Sequence, residues 1–304
     1  MTARKRILIT GANGFVASNV IWQADPNCEM HALSREPGPA PLKNLHWHVV
    51  NPANAEQVQQ VFQGVRPDAV IHTAALASID YCEAHQQLAR EVNVGITQTL
   101  ADLCAASGAK LVFCSSDTVF DGEHAPYRES DAPQPVNFYA TTKVEAEKIV
   151  SQLGANGVIA RLSLVVGLPI LSQGNSFLAT MIPALKAGHE VIFPTNEIRT
   201  PIDVITLARA LNELAAGSHS GIFHLAGNDS LSRFVMVQRI AERLGFPKNQ
   251  VIATDSSDMP GRAPRPRNVS LDNRRARAEL KTPMRNLDEG LALALQSVKI
   301  NPNK

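Results

Sequence analysis

An excess of charge of either sign is the first thing this sequence lacks. Its 29 Lys and Arg stand against 28 Asp and Glu, a formal net charge of +1, so no broad field draws the chain to nucleic acid or to a membrane surface. Long apolar runs are missing as well. The stretch within MTARKRILITG at the N-terminus is far too short for a secretory signal or a membrane span, which predicts a soluble, cytoplasmic protein. Cysteine is sparse: Cys28, Cys82, Cys104 and Cys114 show no metal-ligand spacing. Three of them lie in apolar segments, where small buried thiols are common, so reduced structural thiols and no metal are expected. Repeats and low-complexity segments are absent. What remains is 304 residues, 44% of them hydrophobic, enough to fill one large domain or two intimately associated ones.

Short apolar runs bounded by turn residues alternate with amphipathic stretches. Strands are expected at 6–10, 29–33, 46–50, 68–73, 110–115 and 157–162, and helices at 54–63, 86–106 and 137–153. This alternation predicts an α/β fold, a Rossmann-like doubly wound parallel sheet. After Gly167 the order becomes less regular. Residues 168–200 and 228–304 carry most of the prolines of the second half and are read as a smaller C-terminal lobe. Between them, a helix from Val204 to Ala215 and a strand from Ile222 to Leu225 return to the sheet. The expected division is 1–167 plus 201–227 for the sheet domain and 168–200 plus 228–304 for the lobe.

Two motifs give this architecture a chemistry. Thr10-Gly11-Ala12-Asn13-Gly14-Phe15-Val16-Ala17 follows the apolar run Ile7-Leu8-Ile9 and opens a helix running to Trp22. Glycines at such a turn let the backbone approach a pyrophosphate, whose charge then sits against free N–H groups of the helix N-terminus. Ala17 holds the third small position, which needs only to be small enough for helix-to-strand packing. The second motif is Tyr139-Ala140-Thr141-Thr142-Lys143. The i, i+4 spacing puts both side chains on one helix face, about 6 Å apart at Cβ. A cation that stabilises the phenolate by about three pH units supplies roughly 4 kcal/mol, and such a phenol can exchange a proton with a carbonyl oxygen. Upstream, Leu111-Val112-Phe113-Cys114 ends in Ser115-Ser116-Asp117, placing a hydroxyl at the carboxyl edge of the sheet where active sites of this fold collect. His72, just before that edge on another strand, reads as a core histidine.

The end of the second strand bears on the choice of cofactor. An acidic residue there would bond the ribose 2′-hydroxyl of NAD, but Ser34-Arg35 stands in its place. A hydroxyl and a guanidinium suit a 2′-phosphate, so NADP(H) is preferred, with NAD(H) left open by Glu36 next door.

These segments resemble an extended short-chain dehydrogenase/reductase, and within that superfamily the dTDP-4-dehydrorhamnose reductases, together with the related regulatory subunit of methionine adenosyltransferase. The similarity is carried by TGANGFVAS (10–18), HTAALASIDYCE (72–83), VNVGIT (92–97), CSSDTVFDG (114–122), PYRESDAPQPVNFYATTKVEAE (126–147), RTPIDV (199–204) and RPRNVSLD (265–272), nearly the whole chain. It implies Ser116, Tyr139 and Lys143 as the catalytic set. It implies cofactor contacts from Gly11, Asn13, Gly14, Phe15, Val16, Ser34, Arg35, Thr73, Ala74 and Ala75, with Asn93 bracing the sheet beside them. Asn51 falls where relatives carry an aspartate that reads the adenine amine. Substrate contacts are expected from Asp117, Arg199, Arg265 and Arg267. Dehydratases of this superfamily place a glutamate right after the aspartate, and Thr118 occupies that position, so elimination of water is not expected. The implied activity is reduction of a 4-keto sugar or nucleotide sugar, with a homodimer compatible. A regulatory subunit that binds the cofactor without turnover, and a dehydrogenase or epimerase of another sugar, stay open.

Overall fold

The computed structural model describes residues 4–38, 42–171 and 176–299. Seven strands form one sheet: β1 (Arg6–Thr10), β2 (Glu29–Ser34), β3 (Leu45–Val49), β4 (Ala69–His72), β5 (Lys110–Ser116), β6 (Gly157–Leu162) and β7 (Gly221–Leu225). Their order in space is β7-β6-β5-β4-β1-β2-β3, and every pairing is parallel. The central strands read as unbroken apolar runs because both of their faces are covered. Ile7, Ile9, Ile71 and Val112 point to one face, Leu8, Val70, Leu111 and Phe113 to the other, and each set anchors its own core.

The helices follow from the same alternation: α1 (Phe15–Trp22), α2 (Ala55–Val65), α3 (Ile79–Ala84), α4 (Gln86–Arg90), α5 (Ile96–Ser107), α6 (Phe138–Ser151), α7 (Phe177–Lys186), α8 (Val204–Ala216), α9 (Arg233–Arg243), α10 (Arg274–Glu279) and α11 (Leu287–Lys299). On one face α1 and α8 pack Val20, Ile21, Leu207, Leu211 and Leu214 against the sheet. On the other, α2, α5 and α6 contribute Val58, Phe62, Leu100, Cys104, Ala146 and Val150. The strand order reverses between β1 and β4, and a crevice opens there at the carboxyl ends of the strands.

The expected strands and sheet helices are all present, with ends moved by one or two residues at most places. The stretch expected as one helix over 86–106 is α4, a π-helical turn Glu91–Gly95 and α5. A widened turn of this kind often marks a functional region, and this one carries the buried Asn93. The less regular second half resolves into a further core. Leu178, Met181 and Leu185 of α7 meet Met236, Val237 and Ile240 of α9, Val251, and Leu287 and Leu291 of α11. Two short strands, Val191–Pro194 and Val251–Thr254, pair in parallel beside them. Ala276, Leu280 and Met284 lie instead against the core beneath the sheet. Residues 1–3, 39–41, 172–175 and 300–304, which the expected domain bounds include, lie outside the described residues.

Candidate active site

β1 delivers the chain to Gly11, whose φ is +67°. A Cβ there would stand 2.9 Å from Ala74 Cα and 3.2 Å from Thr73 Oγ1, so both conformation and the close approach of β4 demand glycine. Gly14 differs. It is the N-cap of α1 with φ −76°, and it offers no side-chain acceptor. Only at Gly11, therefore, does the backbone conformation itself call for glycine. At Gly14 a Cβ would press on the Gly11 carbonyl at 2.9 Å. With no capping side chain, the first-turn amides of α1 stay open toward the crevice, which is what a pyrophosphate requires. The residues present fit a dinucleotide.

Behind this turn His72 is fully enclosed. The Thr97 hydroxyl donates to Asn93 O at 2.7 Å and so accepts from His72 Nε2 at 3.1 Å. Nδ1 then accepts from the Thr10 hydroxyl at 2.7 Å, and the Thr10 oxygen takes the Ala74 N–H at 3.2 Å. Burial pushes the imidazole down to about 3. His72 is a neutral structural link between the glycine turn and β4. Asn93 works alongside it, bonding Leu76 N at 2.8 Å, Leu76 O at 3.2 Å and Thr142 Oγ1 at 3.0 Å. Its amide ties the chain after β4 to α6 and does not line the cleft.

Past β2, the Ser34 hydroxyl and the Asn13 amide both donate to Glu36 O, which shapes the turn and leaves Arg35 exposed at the crevice wall. Asn51 lines the same wall and accepts the Ala53 N–H at 3.1 Å.

At the other end, Ser116 closes β5 and caps a short 3₁₀ turn, accepting Thr118 N–H at 3.2 Å and lying 2.9 Å from Thr118 Oγ1. Tyr139 sits in the first turn of α6, which Asn137 caps through Ala140 N–H at 2.9 Å. Glu83 of α3 accepts the Phe138 N–H at 2.9 Å, fixing the start of the helix. Tyr139 lines the same cleft as Ser116. Lys143 is 4% exposed; its Nζ donates to Cys114 O at 2.9 Å and stands 4.7 Å above the Phe113 ring and 5.7 Å from the Tyr139 ring centre. One turn on, Glu147 accepts from Ser115 Oγ at 2.6 Å and from Arg161 Nη2 at 2.8 Å, a buried pair beneath the site.

The expectation that Lys143 brings the phenol down is not met by the protein's own groups. Desolvation in the cleft, and next the charge of Asp117, push Tyr139 up, outweighing the lowering by Ser116. The lysine itself is lowered by burial to about 8. The phenol is therefore held protonated at neutral pH, and its donation of a proton depends on the Lys143 charge stabilising the phenolate that forms.

The substrate-side residues separate into those that face the cleft and those that do not. Asp117 is buried, 3.9 Å from Arg199 Nε, and burial raises its carboxyl. Arg199 spends its terminal nitrogens on backbone carbonyls, Ile198 O at 2.7 Å and Arg267 O and Pro266 O at 3.3 Å. Arg265 is held in a two-pronged pair with Asp80 of α3, both contacts 2.7 Å. Arg267 is exposed and does not line the cleft; its backbone carbonyl is what reaches the site. Two residues that sequence reasoning did not single out stand there, Glu197 and Arg233. Glu197, 1% exposed, lies 2.9 Å from Arg262, 3.4 Å from Arg233 and 3.9 Å from Arg199. A carboxylate and an arginine at the start of two unremarkable segments carry no local pattern, so only the tertiary structure reveals them.

One cleft of about 800 Å³ joins these ends, a size that suits a cofactor and a substrate together. Gly11, Asn13, Gly14, Phe15, Val16, Ser34, Arg35, Asn51, Thr73, Ala74 and Ala75 line its cofactor side. Ser116, Asp117, Tyr139, Lys143, Arg199 and Arg265 line the rest. Among the described residues, no helix is long and apolar enough to cross a membrane.

Comparison with known proteins agrees with this geometry. Residues 5–300 match the protein family described as the RmlD substrate binding domain. The chain is 31% identical to dTDP-4-dehydrorhamnose reductase of Mycobacterium tuberculosis over 299 residues, 96% of this chain and 92% of that one. It is also 31% identical to methionine adenosyltransferase 2 subunit beta of Bos taurus over 278 residues, 88% of this chain and 80% of that one. The crystal structure of dTDP-4-dehydrorhamnose reductase from Bacillus anthracis in complex with NADP superposes with a TM-score of 0.86 at 28% identity, covering 97% of this chain and 99% of that one.

Proposed function

The chain belongs to the RmlD substrate binding domain family and is an extended short-chain dehydrogenase/reductase; from that premise we propose that it is an NADP-preferring reductase of a 4-keto sugar, in particular a nucleotide-linked 4-keto-6-deoxyhexose of the dTDP-4-dehydrorhamnose type. The observation that carries this reading is the meeting of Ser116, Tyr139 and Lys143 with the glycine turn of β1 in one cleft. Residues 168–200 and 228–304, apart from the stretch around Ala276, Leu280 and Met284 that packs beneath the sheet, would form the lobe that receives the sugar.

The turn at Gly11 and Gly14 and the open amides of α1 would hold the pyrophosphate, Arg35 the 2′-phosphate, and Lys143 the nicotinamide ribose. When bound, the nicotinamide supplies a hydride to the carbonyl carbon. Ser116 Oγ donates a hydrogen bond to the carbonyl oxygen and polarises it. Tyr139 Oη gives that oxygen its proton, a transfer that the raised phenol opposes and that the adjacent cation must assist. Charge left on Tyr139 is stabilised by the Lys143 ammonium, which also keeps the nearby Cys114 carbonyl engaged. Thr118, 2.9 Å from Ser116, supplies no carboxylate for proton abstraction, in keeping with reduction without loss of water.

A second reading is favoured by the similarity to methionine adenosyltransferase 2 subunit beta: a regulatory subunit in which the cofactor serves structure and partner recognition. The two are separated by incubating the purified protein with NADPH and a panel of nucleotide 4-keto sugars and free keto sugars while following absorbance of the reduced cofactor. Oxidation with at least one nucleotide 4-keto sugar supports the reductase; tight NADPH binding without oxidation by any of them supports the subunit.

A further inference from the structure

The substrate end of the cleft holds more arginine than its carboxylates can satisfy. From the catalytic serine a chain of contacts runs outward: Ser116 Oγ to Asp117 Oδ1 at 3.3 Å, Asp117 to Arg199 at 3.9 Å, Arg199 to Glu197 at 3.9 Å, and Glu197 to Arg233 at 3.4 Å. Arg262 joins at Glu197 from the other side. Three guanidinium groups thus share two carboxylates.

The donors are distributed unevenly. A guanidinium carries five N–H donors and no acceptor. Arg199 is bound to three backbone carbonyls, and Arg265 to Asp80 and Ala263 O. Arg262 places one nitrogen on Glu197 at 2.9 Å and another on Met259 Sδ at 2.9 Å. Among the described residues, Arg233 has a single long contact to Glu197 at 3.4 Å, while its Nε is buried with no acceptor. Its side chain is 24% exposed, in the cleft wall, with the guanidinium 5.3 Å from the centre of the Phe193 ring. An under-satisfied, part-buried guanidinium that faces a ligand cleft is a receptor for a doubly accepting anion, because phosphate oxygens match its fork.

We propose that Arg233 receives the phosphate of the substrate, so that the cleft selects a sugar carried on a nucleoside diphosphate over the free sugar. This rests on the reductase reading above and assigns its substrate anchor to a residue outside the catalytic set. Of the three cations expected on the substrate from sequence, Arg199 and Arg265 instead hold the walls and Arg267 lies outside the cleft lining.

The test is calorimetric titration of dTDP, with UDP in parallel, into the NADPH-loaded wild-type protein and into Arg233→Met, Arg233→Lys and Arg239→Met. Arg239 lies on the same helix and pairs with Asp288 and Asp229, so its loss removes the same charge without touching the cleft. Losing hydrogen bonds to a charged group predicts about a 10- to 150-fold weaker nucleoside diphosphate for Arg233→Met. Arg233→Lys should fall between it and wild type, Arg239→Met should match wild type, and NADPH affinity should hold throughout. Thymidine, lacking phosphate, should bind all four proteins alike. Wild-type affinity for dTDP and UDP in Arg233→Met overturns the proposal and leaves the reductase reading standing; so does an equal loss for thymidine, or competition by glucuronate alone. Should Arg233→Met fail to bind NADPH, Arg233→Lys decides, a wild-type affinity again overturning the assignment. A wild-type protein that binds neither diphosphate yet oxidises NADPH with a free keto sugar overturns the nucleotide-sugar reading and this proposal together.

Discussion

The two halves of the cleft are built by different means. On the cofactor side the work is done by backbone: a glycine at φ +67°, open amides at the start of α1, small side chains at Ala74 and Ala75, and a neutral histidine behind them. The substrate side is built from charge, with Glu197, Asp117 and Asp80 apportioned among Arg199, Arg233, Arg262 and Arg265. Backbone geometry is fixed by neighbours in sequence. Charge pairing is fixed by partners far along the chain, and it can be redistributed by a single substitution. Apart from Arg35, the first half should therefore be tolerant of changes in charge and intolerant of changes in shape, and the second half the reverse.

The sharpest way to break the contrast is Glu197→Gln. It keeps shape and leaves three guanidinium groups around an uncharged amide, and removing one member of a buried charge set typically costs about 3–5 kcal/mol. Urea denaturation should show a loss of that order. A loss under about 1 kcal/mol would mean that the arginines are not held by this carboxylate.

A smaller effect is expected on the cofactor side. Arg35→Ala should weaken NADP by about 1.5–3 kcal/mol, the range for a charge-assisted hydrogen bond, with NAD little changed. Titrating both cofactors into both proteins checks it, and equal losses for the two would remove Arg35 from the 2′-phosphate.

The smallest concerns the histidines. Burial lowers His72 and His224 to about 3, so the folded protein cannot take up protons that the unfolded chain accepts below its ordinary value near 6.5. Their contribution to stability is present above that value and is lost as pH falls, at about 1.4 kcal/mol per unit for each. Asp117 and Asp203, whose carboxyls are raised by burial, act in the opposite sense nearer the carboxylate range. Burial lowers His31 as well, to about 4; unfolding free energy should therefore decline between pH 6.5 and 5, and His72→Gln should remove at most about a third of the slope. A flat profile in the wild type would contradict the neutral, enclosed His72.

What was legible in the sequence follows the same division. The glycine turn, the Tyr139 to Lys143 spacing and the hydroxyl at the end of β5 were readable because each rests on residues within one turn or one strand end. Arg199 and Arg265 were visible as candidates, but their commitments were not: the partner of Arg265 is Asp80, on the short helix α3, and Arg199 is spent on the carbonyls of Pro266 and Arg267. The short helix itself escaped the coarse reading, although Ser78 caps it through Tyr81 N–H. Gly14 was read for the close approach it allows, and the room it leaves at the N-terminus of α1 is where it matters. The raised phenol of Tyr139 could not be read at all, since it comes from burial and from Asp117, not from the lysine four residues on.

The central claim is that Tyr139 is a proton donor in a working reductase, and the most direct test is the rate of NADPH oxidation by Tyr139→Phe with a nucleotide 4-keto sugar, measured beside NADPH affinity. Losing one hydroxyl while keeping the ring should lower turnover about 10²- to 10⁴-fold, or about 3 to 5.5 kcal/mol of barrier, with affinity unchanged. Turnover within a few-fold of wild type, or no turnover in the wild type to begin with, would contradict the account.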